Sequence, residues 1–91
     1  MKKAITKTMT LAQSVLVEEN LHLVKVVIKR HIRINPENPE LCFDELYQIG
    51  SLALCSAAMS YDKTKNITFC TYAYHVIHNR LLDYCRSIYR L

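Results

Sequence analysis

Ninety-one residues suffice for one small hydrophobic core and fall short of two, since independent domains run from about 50 to 200 residues. Apolar residues make up 51% against 22% charged, with one Gly and two Pro, which excludes a disordered tail, a collagen-like fibre and a turn-rich β-sandwich. The net charge of +4 favours an acidic partner such as nucleic acid, and it is unevenly spread: residues 1 to 33 and 63 to 91 are basic, while 34 to 62 are acidic and hold no Lys or Arg. Two surfaces with different partners are expected from that pattern.

Residues 1 to 9 read as a flexible basic lead-in, because Met1, Lys2 and Lys3 run into a Thr/Lys-rich stretch rather than the apolar segment of a secretory signal. The domain proper is expected over 10 to 91. Thr10 followed by Gln13 fits a capping box, and Leu16, Asn20, Leu23, Val24, Val27, Ile28 and His31 recur at helical spacing, which predicts a first helix to about Ile32. Pro36 and Pro39 forbid its continuation, since neither offers an amide hydrogen and each disfavours a helical residue before it.

A second helix is expected from near Asp44, where two carboxylates suit the positive helix end, to about Ser60. Leu46, Ile49, Gly50, Ala53, Leu54, Ala57 and Tyr61 form its core face. Behind them Gln48, Leu52, Cys55 and Met59 line up in a second stripe that no basic residue interrupts. Such a stripe belongs either to a helix packed on a partner helix or to one buried on both sides within its own fold. Asp62 to Ile67 is a turn, with Asn66 suited to a left-handed conformation.

The third helix is expected to begin between Thr68 and Thr71 and to run to the end, with Ala73, Ile77, Leu81, Tyr84 and Ile88 inward. His75, His78, Asn79, Asp83, Arg86 and Arg90 occupy the opposite arc, with Tyr72 and Tyr89 near it. Donors interleaved with rings suit single-stranded nucleic acid, although any solvated helix face also carries charges. The fold class is therefore all-α, a small three-helix domain.

Other chemistry finds little support. Cys42, Cys55, Cys70 and Cys85 include no C-x-x-C pair, so reduced thiols in a cytoplasmic protein are expected, and neither they nor His75 and His78 supply the two close ligand pairs of structural zinc. The longest mildly apolar run, Ser51 to Met59, is far below the ~18 residues of a membrane span. With no Gly-rich phosphate loop and no nucleophile and base pair, the chain is not expected to be an enzyme or to carry a cofactor.

Order and spacing together resemble region 2 of the bacterial sigma-70-type RNA polymerase initiation factors. Asn20-Leu21-His22-Leu23-Val24 is similar to the N-L-x-L-V opening of that family's first conserved helix, and Glu45-Leu46-Tyr47-Gln48-Ile49-Gly50 to its D/E-L-x-Q-x-G segment. Tyr61-Asp62 resembles the F-D that closes the same helix, and Phe69-Cys70-Thr71-Tyr72-Ala73 stands where the family has F-S-T-Y-A. The stretch Ile77 to Arg86 looks most like the sporulation-type members.

The resemblance implies a region 2-like helical domain whose second helix docks on the clamp coiled coil of the polymerase's largest subunit, through Glu45, Gln48, Leu52, Cys55 and Met59. It further implies contact between Tyr61, Phe69, Tyr72, His75, His78, Asn79, Arg86 and Arg90 and the non-template single strand of the promoter −10 element. Departures accompany it. Where the family commonly has an acid or Asn, this chain has Ile49, Ser51 and Met59; the paired tryptophans of housekeeping members become His75 and Val76; Cys70 replaces a capping Ser. A −35-reading helix-turn-helix is absent from these 91 residues, so a split factor completed by a second polypeptide is expected. The alternative is a helical interaction module or clamp competitor that homo-oligomerises and has no role on DNA.

Overall fold

A computed structural model describes residues 9 to 89; Arg90 and the lead-in residues 1 to 8 lie outside the described residues. Among those residues the fold is all helical: α1 (Leu11–Asn20), α2 (His22–His31), α3 (Phe43–Ser60), a single 3-10 turn (Lys63–Lys65) and α4 (Phe69–Tyr89). The first predicted helix is thus two, and the three expected helices become four. Its start is as expected: Thr10 Oγ1 accepts from the Gln13 amide at 3.1 Å and Gln13 Oε1 accepts from the Thr10 amide at 3.0 Å, which closes the capping box. Met9 already packs on the core.

The division falls at Leu21, and local hydrogen bonding accounts for it. Asn20 Nδ2 donates to the Leu16 carbonyl at 2.8 Å, competing with the backbone for that acceptor. The Val24 amide then donates to Leu21 rather than one residue further back, which tightens the turn to 3-10 geometry. Leu21 keeps helical angles, φ −57° and ψ −30°, so the chain bends without leaving the helical path. Beyond the bend α2 buries Leu23, Val24, Val27 and Ile28.

The two prolines occupy a structured loop. Asn35 and Asn38 side-chain oxygens accept from the amides of Glu37 and Glu40, at 3.1 and 2.9 Å, which are Asx turns. Leu41 is buried, and the Tyr84 hydroxyl donates to the Glu40 carbonyl at 2.9 Å, tying the loop to α4.

Helices α2, α3 and α4 converge at Gly50. A methyl group built there would lie 2.6 Å from Val24 Cγ1 and 3.6 Å from both Ile77 Cγ2 and Leu81 Cδ1. The hydrogen side chain is what lets the three axes come this close. Around that crossing Leu46, Ala53, Leu54, Ala57, Ala73, Ile77 and Leu81 are buried as expected. No helix among the described residues is long and apolar enough to cross a membrane.

Candidate functional site

The outer side of α3 carries part of the predicted stripe. Gln48 is exposed, Leu52 is 58% exposed and Met59 45%, with Glu45 half-buried at the stripe's start. Cys55 is a correction: only 6% of it is exposed, and it belongs to the core. Helix α1 packs on α3 in addition to α2 and α4, so α3 is buried over a wider sector than one core face alone would give. That burial pushes the Cys55 thiol above its ordinary value, because a thiolate is poorly solvated there. Ile49 also packs against the core and Ser51 is half-buried. Of the three positions where the family commonly carries an acid or Asn, only Met59 is exposed on α3.

At the far end of α3 an aromatic corner is built from the turn and the start of α4. The Tyr61 hydroxyl donates to the Ile67 carbonyl at 2.7 Å, anchoring its ring across the turn. Against that ring Phe69 stands edge-on at 5.3 Å and Tyr72 lies tilted at 5.8 Å. Phe69 corrects a second expectation. It is 8% exposed and part of the core, so it forms the floor of the corner and has no face to offer a base. Tyr61 and Tyr72 remain half-buried at the surface. The Tyr72 and Ser60 hydroxyls are 2.7 Å apart, and Ser60 gives its own proton to the Ser56 carbonyl. Tyr72 must therefore be the donor in that pair, which fixes its ring and leaves its oxygen as an acceptor.

The turn itself is held by Asp62, whose Oδ1 accepts from the Thr64 amide at 2.9 Å and the Thr64 hydroxyl at 2.7 Å. Those bonds favour the carboxylate and hold the Asp62 carboxyl below its ordinary value. Asn66 adopts the expected left-handed conformation, with φ 60° and ψ 35°. Thr68 caps α4, its Oγ1 accepting from the Thr71 amide at 3.3 Å while its carbonyl accepts from Tyr72. The capping oxygen expected to be lost at Cys70 is thus supplied two residues earlier. Lys63 and Lys65, both exposed, flank this corner in the short turn between two aromatic positions, where the sequence reading placed no site residue.

Along α4 the structure brings Tyr72, His75, Asn79 and Arg86 onto one side. At 1.5 Å per residue this line runs about 21 Å. Arg86 pairs with Asp83 at 3.3 Å, both well exposed, and so weakly coupled. His78 is a third correction: half-buried, it turns toward α2, where its ring meets that of His31 at 4.2 Å. Arg90 is the one predicted contact outside the described residues. No group of three or more His, Cys, Asp or Glu able to hold a metal ion occurs among the described residues.

Comparison with known proteins covers nearly the same stretch. The sequence profile of the Sigma-70 region 2 family matches residues 16–90. The chain is 32% identical over 74 residues to a Clostridium acetobutylicum protein named RNA polymerase sigma-E factor, covering 81% of this chain and 29% of that protein. It is 33% identical over 77 residues to a Bacillus thuringiensis subsp. kurstaki protein named RNA polymerase sigma-28 factor, covering 85% of this chain and 30% of that one. The chain therefore spans less than a third of the length of these relatives. No solved structure gives a significant match. A profile match of that extent, on an all-helical fold whose Gly50 crossing and Tyr61–Tyr72 corner both lie inside it, places the chain in the sigma-70 region 2 family.

Proposed function

We propose that this chain is the polymerase-docking and −10-contacting domain of a transcription initiation factor, acting in the cytoplasm by binding rather than by catalysis. The observation that carries the reading is the adjacency of two unlike surfaces on one core. The exposed stripe Gln48, Leu52 and Met59 ends one residue before Ser60, which holds Tyr72 in the aromatic corner. Both named relatives are called RNA polymerase sigma factors.

In this reading the α3 stripe packs on the clamp coiled coil of the largest polymerase subunit. Leu52 and Met59 supply the buried apolar contact, and Gln48 with Glu45 the polar margin. The corner and the α4 line meet the non-template single strand: Tyr72 offers a ring to an extruded base, Lys63, Lys65 and Arg86 meet phosphates, and Asn79 can present a bidentate amide to adenine. His75 and Val76, where housekeeping members carry tryptophans, give little stacking surface, so strand capture depends on Tyr72 and Tyr61.

Specific initiation requires a preference of about 10³ to 10⁷ over non-specific sites, whereas one good base contact discriminates by about 1–3 kcal/mol. Tyr72 and Asn79 alone do not reach that. The remainder requires a −35-reading helix-turn-helix, joined to this chain or carried on a second polypeptide, which raises the effective concentration at the promoter.

The test is capture of purified core RNA polymerase by the chain and by Leu52→Glu. Retention by the native sequence and its loss in the folded variant are expected. Equal retention would remove the stripe from docking. A homodimer that Leu52→Glu dissolves, with no polymerase bound by either form, would favour the interaction-module alternative.

A further inference from the structure

His31 ends α2 and His78 lies midway along α4, and their ring centroids are 4.2 Å apart with planes tilted by 39°. His31 Nε2 is also 2.8 Å from the Tyr74 hydroxyl. The Tyr74 ring stands edge-on to His31 at 5.8 Å and to His75 at 6.4 Å. Three imidazoles and a phenol thus gather where the end of α2 rests on α4, and neither docking nor base contact uses the His31–His78 pair.

The charges that act on His78 have one sign. From α2 come Lys29, Arg30 and His31 itself, in the helix's last turn; from α4 comes His75, beside the neutral Tyr74. Among the described residues the only ion pair is Arg86 with Asp83, so no carboxylate from α1, α3 or the Pro36–Pro39 loop pairs with either ring. His78 is held below its ordinary value of 6.5, by partial burial first and then by the charges of His31 and His75.

We propose that His31 and His78 form an acid-opened latch between the end of α2 and α4. With His78 neutral the two rings pack against each other. A proton on His78 would place charge in this half-buried seam against the His31 ring, 4.2 Å away, so it is taken up only as the end of α2 separates from α4. The Ile32–Cys42 loop is then tethered by the Tyr84–Glu40 bond and by buried Leu41. Because the closed form lowers the proton affinity of His78, the latch is fully closed above the ordinary value of 6.5 and weakens as pH falls below it. The closed-to-open ratio drops by up to about tenfold per pH unit for each proton excluded.

The test needs neither polymerase nor DNA, so its result is independent of the proposed function. Amide hydrogen exchange of the full chain is measured at about pH 7.5 and about pH 5.5, across the imidazole range, and corrected for the intrinsic rates. Protection at Val27 to Ile32 should fall by about tenfold in the native sequence. In His78→Gln and in His31→Gln, either of which suffices if the other fails to fold, it should change little. His75→Gln, which leaves the ring pair intact, should keep most of the fall. An equal fall in the native chain and in the folded His31 or His78 variant would overturn the latch, as would no fall at all.

Discussion

Gly50→Ala is a one-carbon change aimed at the point where three helices meet. The added methyl would lie 2.6 Å from Val24 Cγ1, against an optimum of about 3.5–4.0 Å between carbons. Val24 is fully buried and β-branched, with one strongly preferred rotamer in a helix, so its methyl cannot swing aside; the helices must move. Alanine gains about 1 kcal/mol of helix propensity over glycine, while overpacking a core costs about 1–3 kcal/mol. The net expectation is a loss of up to about 2 kcal/mol, which lowers the melting midpoint of so small a domain by several degrees. The decisive measurement is a double-mutant cycle by urea denaturation. Val24→Ala alone removes two buried methyls, worth about 1.6 kcal/mol by transfer plus a cavity contribution. In that background Gly50→Ala meets no clash, so its effect should reverse sign and stabilise by about 1 kcal/mol. Stabilisation of the native sequence by Gly50→Ala, or the same sign in both backgrounds, would refute the claim that Gly50 exists for close approach.

Leu52→Glu should leave stability within about 0.5 kcal/mol, as expected for an exposed position, while abolishing polymerase capture; unfolding by circular dichroism would put Leu52 in the core. Tyr72→Ala should lower affinity for single-stranded DNA by the about 1–3 kcal/mol of one stacked base and leave weak duplex binding nearly untouched, read by fluorescence titration at two salt concentrations. Equal losses on both forms would reduce the corner to a generic basic surface. Alkylation followed by mass spectrometry should modify exposed Cys70 first and Cys55 and Cys85 slowly, since burial pushes both of those thiols up. A Cys55 as fast as Cys70 would return it to the α3 stripe.

Much of the fold was legible because local signals agreed with the tertiary outcome. Thr10 and Gln13 cap α1, Asn66 takes the left-handed turn, and α3 spans nearly the residues its carboxylates and periodicity marked. The bend at Leu21 was not legible, since the apolar periodicity runs on through Asn20 and does not say whether its side-chain amide bonds back to the Leu16 carbonyl. The three relocated site residues share another cause. Helical periodicity assigns a side chain an angle about its own axis but does not say how wide the neighbouring helices make the buried sector. Cys55 stands at the margin of the buried sector of α3, His78 at the margin that α2 covers, and Phe69 at a helix start where the Tyr61 ring closes over it. Positions nearer the middle of the exposed arcs, Leu52 on α3 and His75 and Asn79 on α4, are exposed, as periodicity expects.

The same geometry couples the two proposed surfaces mechanically. The Tyr72 proton goes to Ser60 Oγ and the Ser60 proton to the Ser56 carbonyl, so the ring that would receive a base is registered against the last turn of α3. Met59, in that turn, belongs to the stripe proposed to bind the clamp. The Tyr61 hydroxyl meanwhile reaches across to Ile67, fixing where the chain leaves α3 and enters α4. A partner packed on Leu52 and Met59 would hold this turn against fraying, and the hydroxyl chain would pass that order to Tyr72 over two hydrogen bonds. Without such a partner, Met59 and Ser60 at the end of that turn are exposed, and exposed helix ends open at the least cost. Under the proposed function, base stacking on Tyr72 would demand less ordering once α3 is docked, and the two binding events would reinforce each other through one turn of helix.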